Sequence, residues 1–116
     1  MLEIEELKKV VIEAIDDVKG IDLSVLDVKG KTSVTDVMII VSGNTSRQVR
    51  AIANSVIMAV KKNAHPPLGT EGEEYGEWAL VDLGDIIVHI MQPSVRDFYN
   101  LEKLWGEDSP AAADDN

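Results

Sequence analysis

Carboxylates are the most abundant reactive groups in this chain, and a dense set surrounds one short segment. Glu71, Glu73, Glu74 and Glu77 precede Trp78, and Asp82 and Asp85 flank Leu83-Gly84. Such clusters can hold Mg²⁺ or move protons. Two-metal nucleotide transfer, however, needs a DxD pair presented on one face of a strand. Here the spacing is DxxD across a turn, and a solvated polar turn is the favoured reading. His65 and His89 are far apart in sequence and no HExxH motif exists, so no histidine pair is set up for zinc. His89, alone in an apolar run, reads as a hydrogen-bonded structural imidazole. Ser42 and Ser46 have no neighbouring His and no G-x-S-x-G around them. Gly43 before Thr45-Ser46-Arg47 suggests a helix N-terminus able to meet an anion. Neither GxxxxGK[ST] nor GxGxxG is present, so an ordinary strand-to-helix turn is favoured. There is no Cys, which removes disulfides, thiol catalysis and Cys-ligated zinc. These residues point to no catalytic centre, no metal and no cofactor.

The elements that position these groups follow from hydrophobic period. Ile4, Leu7, Val11, Ala14, Ile15 and Val18 form one stripe of a helix over Leu2 to Lys19, with Gly20 as its stop. Leu23 to Val28 reads as a strand. Val37 to Val41 is an unbroken apolar, β-branched run, the mark of a central strand buried on both faces. Thr45-x-x-Gln48 has the form of a capping box and opens a helix to about Lys62. Pro66-Pro67 enforces a loop. Trp78 to Val81 and Ile86 to Met91 form a hairpin around Asp82-Leu83-Gly84-Asp85, with a short edge strand over Glu71 to Tyr75. A last helix runs from Ser94 to about Trp105. The order α-β-β-α-β-β-α predicts a single α/β (mixed α+β) domain over residues 1–105, a mixed sheet flanked by helices. Residues 106–116 read as a disordered acidic tail.

The sequence has 116 residues, 45% hydrophobic and 28% charged, with a formal net charge of −10. That charge disfavours nucleic-acid backbones and favours a basic protein partner, although on composition alone solubility is its simplest purpose. No apolar run approaches the roughly 20 residues that span a bilayer. The N-terminal Met1-Leu2-Glu3-Ile4-Glu5-Glu6 has no basic targeting character, so a cytoplasmic setting is expected.

The hairpin is the most informative segment. With a two- or four-residue loop, Ala79, Val81, Ile86, Val88 and Ile90 share one aliphatic face. Trp78, Leu80, Asp82, Asp85, Ile87, His89 and Met91 share the other. An aromatic anchor among carboxylates suits a protein-binding surface. Coverage by helices of the same domain is an equal alternative.

Three blocks carry a family resemblance: Val41-Ser42-Gly43-Asn44-Thr45-Ser46-Arg47-Gln48-Val49, then Glu71-Gly72 with Glu77 to His89, then Arg96 to Trp105. Together they resemble the signature blocks of the Iojap-like ribosomal silencing factors, in order, over about residues 2–106. The resemblance implies a non-enzymatic protein with nucleotidyltransferase-like topology but without the catalytic carboxylates. It further implies binding to large-subunit ribosomal protein fourteen, a steric block to subunit joining, and lowered translation when nutrients are scarce. Its hairpin block matches Trp78, Leu80, Asp82 and His89, and its closing helix matches Arg96, Tyr99, Leu101, Glu102 and Trp105. With Asp85 from the hairpin turn, the expected partner-binding residues are Trp78, Leu80, Asp82, Asp85, His89, Arg96 and Tyr99. Val37, Met38 and Met91 depart from the family's common aromatics and read as core substitutions. The competing expectations are a degenerate nucleotide-binding protein and a self-associating module, since the family includes dimers.

Overall fold

The computed structural model describes residues 2–105. The expected acidic tail, residues 106–116, lies outside the described residues. Helix α1 (Ile4–Asp17) leads into β1 (Ile21–Asp27) and β2 (Val37–Ser42), and α2 (Ser46–Lys62) crosses over to β3 (Gly69–Glu71), β4 (Trp78–Asp82) and β5 (Ile86–Met91). Two short helices follow, α3 (Pro93–Tyr99) and α4 (Leu101–Trp105). The five strands form one mixed sheet in the order β1-β2-β5-β4-β3. Only the β2–β5 pair is parallel, which is the pair joined across the α2 crossover. The expected fold class therefore holds.

Each element has a local cause. In α1, Lys19 adopts a left-handed φ of 57° and the Gly20 amide returns to the Ile15 carbonyl at 3.0 Å, a Schellman closure. Gly20 follows that left-handed residue and is needed for space: a Cβ there would lie 2.4 Å from Ile15 Cγ2. In α2, the Gln48 amide donates to Thr45 Oγ1 at 3.0 Å, while Gln48 Oε1 accepts from the Asn44 amide at 2.9 Å. The capping box thus reaches back one residue further than its usual form. The hairpin closes on a two-residue loop, Gly84-Asp85, with Leu83 and Ile86 paired through the Leu83 amide at 2.9 Å. Gly84 takes φ 89° at the first loop position, where a type II′ turn requires glycine.

β2 is an interior strand with every residue buried, as its apolar run implies, and β5 holds the middle of the sheet. The edge strand falls at Gly69–Glu71, earlier than expected, because the Gly72–Gly76 segment turns back on itself through amides bonded to the Gly72 carbonyl. The last helix is broken at Asn100, which adopts φ 48°.

The main core lies between the sheet and the α1–α2 layer. Leu7, Val11 and Ile15 of α1 and Ile52 and Val56 of α2 meet Ile39, Val41, Ala79, Val88 and Ile90. A smaller cluster occupies the opposite face: Val28, Met38, Ile40 and Met91, rimmed by Trp78, Val95, Leu101 and Trp105. No helix among the described residues is long and apolar enough to cross a membrane.

Candidate functional site

Strand register builds the second face row by row. Ser24, Ile40, His89, Leu80 and Glu71 form one row across the sheet. Leu26, Met38, Ile87, Asp82 and Gly69 form the next, and Ser42, Met91 and Trp78 close the end. The β1–β2 half of these rows packs with Leu101 and Trp105 of α4. Towards β4 and β3 the apolar cover thins. Leu80 is half-buried, and neither Leu80 nor Ile87 belongs to either apolar cluster. Among the described residues, one sheet face is thus closed by long helices, while the other is covered by short helices on one side and left open on the other.

At the open end the aromatic rings stack. Trp78 is half-buried, its ring centroid 4.7 Å from that of Tyr99 and 5.8 Å from that of His89. Its indole N–H donates to His89 Nδ1 at 2.9 Å. That bond selects the tautomer with the proton on Nε2. Burial depresses the His89 pKa from 6.5 to about 4, so at neutral pH the imidazole is an uncharged acceptor. Tyr99 is 52% exposed, and Phe98 meets it edge-on at 5.0 Å while itself 81% exposed. Down the hairpin, half-buried Asp82 accepts from the Gly84 amide at 2.9 Å, and Asp85 stands exposed at the turn.

The expected site residues therefore separate. Trp78, Leu80, His89 and Tyr99 come together, and Asp82 continues the same face one strand period beyond Leu80. Asp85 is at the hairpin tip, apart from the aromatic group. Two of the expected residues are buried. His89 is only 7% exposed and supports Trp78 through the indole hydrogen bond, in keeping with a structural imidazole. Arg96 is 9% exposed and its guanidinium turns inward, donating to Glu102 Oε1 at 2.8 Å, Ser42 Oγ at 2.8 Å and Ser24 Oγ at 3.2 Å. Phe98 was missing from the expected set. A signal for it exists: Gln92, Val95, Arg96 and Tyr99 fall on one helical stripe, and Phe98 lies off it, where an aromatic must face outward. Among the described residues no group of three or more His, Cys, Asp or Glu is arranged to hold a metal ion.

Comparisons with known proteins agree with this architecture. The family model described as "Ribosomal silencing factor during starvation" matches residues 1–116. The chain is 47% identical over 112 residues to the ribosomal silencing factor RsfS of Chromobacterium violaceum, covering 97% of this chain and 92% of that protein. A crystal structure of a protein from Chromobacterium violaceum superposes with a TM-score of 0.89 at 48% identity, covering 91% of this chain and 89% of that one. A mouse protein named for mitochondrial assembly of the ribosomal large subunit is 32% identical over 87 residues, which cover 72% of this chain and 38% of that protein.

Proposed function

This chain belongs to the ribosomal silencing factor family, and on that premise we propose that it silences translation by occupying the large ribosomal subunit with its half-covered sheet face. Membership carries a ribosome-associated silencing role; the contact and the mode of action are our reading. The partner is large-subunit ribosomal protein fourteen, and the bound domain stands where the small subunit must join. The mouse relative is named for assembly of the ribosomal large subunit, which supports that subunit as the place of binding here. The setting is the cytoplasm.

The observation that carries the proposal is the row of Trp78, Tyr99 and Phe98 at an open sheet end, next to half-exposed Leu80 and Asp82. Large aromatic rings that remain accessible supply contact area at small entropic cost. With a net charge of −10, the chain meets a basic ribosomal protein with a faster encounter, while rRNA phosphates oppose misplaced binding. The function needs bulk and a docking surface, not a reacting group.

The test is co-sedimentation with isolated large and small subunits, paired with a subunit-joining assay on a sucrose gradient. The wild-type protein should travel with large subunits, bind isolated ribosomal protein fourteen, and reduce joined ribosomes in proportion to occupancy. Trp78→Ala should lower the affinity by about tenfold or more. Retention by small subunits alone, or joining that proceeds normally on saturated large subunits, would overturn the proposal.

A further inference from the structure

The docking face depends on two helices too short to hold themselves. Helix α3 has 7 residues and α4 has 5, far below the length at which helices persist unaided. They meet at Asn100, whose left-handed φ of 48° turns the chain sharply. Tyr99 is the last residue of α3, so the position of its ring depends on what fixes this corner.

One polar cluster spans it. Arg96 lies before the corner and Glu102 after it, joined by Nε to Oε1 at 2.8 Å. Ser24 of β1 donates to Glu102 Oε2 at 2.6 Å and accepts from Arg96 Nη2 at 3.2 Å. Ser42 of β2 accepts from Arg96 Nη1 at 2.8 Å. A single guanidinium thereby ties α3, α4, β1 and β2 together. Its fork geometry is needed, because an ammonium cannot present donors in three fixed directions. A buried cation with satisfied partners on both sides of a turn fixes orientation more than it adds stability.

We infer that Arg96 and Glu102 act as positioning residues for docking: they latch the α3–α4 corner so that the Tyr99 ring lies on Trp78 and Phe98 faces outward. This rests on the proposed docking face, and it assigns the affinity of that face partly to residues that never touch the partner. Opening the latch frees the corner, uncovers Trp78 and disperses the aromatic row without removing any ring.

The experiment separates this from simple destabilisation. In a Trp105→Phe background, Trp78 is the sole tryptophan, and its emission and quenching report the Tyr99 contact in the free protein. Tyr99→Ala sets the signal of an uncovered Trp78. Glu102→Ala should shift emission toward that signal at temperatures well below its melting midpoint. It should also weaken large-subunit binding about threefold to tenfold. Added to Tyr99→Ala, Glu102→Ala should cause no further loss of binding, because it acts through that ring. Arg96→Lys should fail to restore either readout. If Glu102→Ala melts too low for the assay, Glu102→Gln provides both readouts with a smaller change. Unchanged Trp78 emission, or losses that add fully with Tyr99→Ala, would overturn the latch. Wild-type binding by Tyr99→Ala itself would overturn the docking face and the link to affinity, while the emission of the free protein still decides whether the latch positions the ring.

Discussion

The two faces of the sheet are made from the same strands and behave oppositely. Against α1 and α2, the sheet presents Val37, Ile39, Val41, Ala79, Val81, Val88 and Ile90, all buried in one aliphatic core. On the α3–α4 side it presents Ser24, Ser42, His89, Trp78 and Asp82 beside a small buried apolar cluster of Val28, Met38, Ile40 and Met91. A face covered by helices of 14 and 17 residues can afford no polar side chain without a partner. A face covered by 7 and 5 residues leaves room for polar groups, rings and an outside protein. Stability is therefore concentrated on one side, and the other side is the one proposed for recognition.

The largest expected effect tests the closed side. Ile39 is fully buried among residues of both long helices and the sheet. Ile39→Ala should destabilise the domain by about 2–5 kcal/mol, through lost transfer energy and a cavity. Denaturant unfolding measures it, and the surviving folded fraction should bind large subunits normally. A cost below about 1 kcal/mol would mean that this face is not the seat of stability.

A second effect comes from the half-covered side and appears as pH dependence. Burial holds the folded His89 pKa at about 4, against 6.5 in its ordinary state. Between those values the unfolded chain takes up a proton that the folded imidazole refuses. Folding stability should therefore fall as pH drops from 6.5 towards 4, by about 3 kcal/mol in all, and this contribution levels off below. Glu102 is held below its ordinary 4.5 first by the Arg96 hydrogen bond. Its stabilisation is complete above pH 4.5 and is lost as pH falls through its depressed value. His89→Gln keeps an acceptor for Trp78 and cannot titrate, so the wild-type minus variant difference isolates the imidazole. A difference that stays flat from pH 6.5 to 4 would contradict its burial in neutral form.

What was legible in the sequence follows the same division. The closed face was readable because aliphatic periodicity is local: the run Val37 to Val41 and the alternation in the hairpin each fix a face without reference to distant residues. The two-residue loop at Gly84-Asp85 preserved that alternation. The half-covered face was read only in part. The inward turn of Arg96 was not legible, because its partners Ser24 and Ser42 lie 72 and 54 positions away and nothing local announces them. The break at Asn100 was hidden inside a plausible helical stripe. Phe98 was visible only once that stripe was oriented.

Phe98 sharpens the comparison because it separates binding from folding. At 81% exposure it contributes little to the core. Phe98→Ala should leave the thermal midpoint nearly unchanged, within about 0.5 kcal/mol, yet weaken large-subunit binding by about 1–2 kcal/mol. Co-sedimentation beside a thermal melt checks both halves. Unaltered affinity would move the binding surface away from α3.

The smallest effect asks whether charge acts through its place or only through its sum. Asp82→Lys changes the net charge from −10 by two units, to −8. Glu6→Lys makes the same change on exposed α1, in the layer that covers the closed face. If the acidity of the chain works only as a total, both variants should slow association with a basic partner equally. If the half-covered face is the docking face, Asp82→Lys puts a cation beside the partner's own cations. It should then cost about 1 kcal/mol more than Glu6→Lys, chiefly in association rate. The gap should close as salt rises, since exposed charges are screened within about 10 Å at 0.1 M salt. Asp82 also accepts the Gly84 amide in the hairpin turn. Asp82→Asn keeps that acceptor without the charge, and it should fall between wild type and Asp82→Lys. Stopped-flow association at two salt concentrations reads all three variants. Equal rates for Asp82→Lys and Glu6→Lys at low salt would leave net charge as the sole electrostatic contribution and remove Asp82 from the interface.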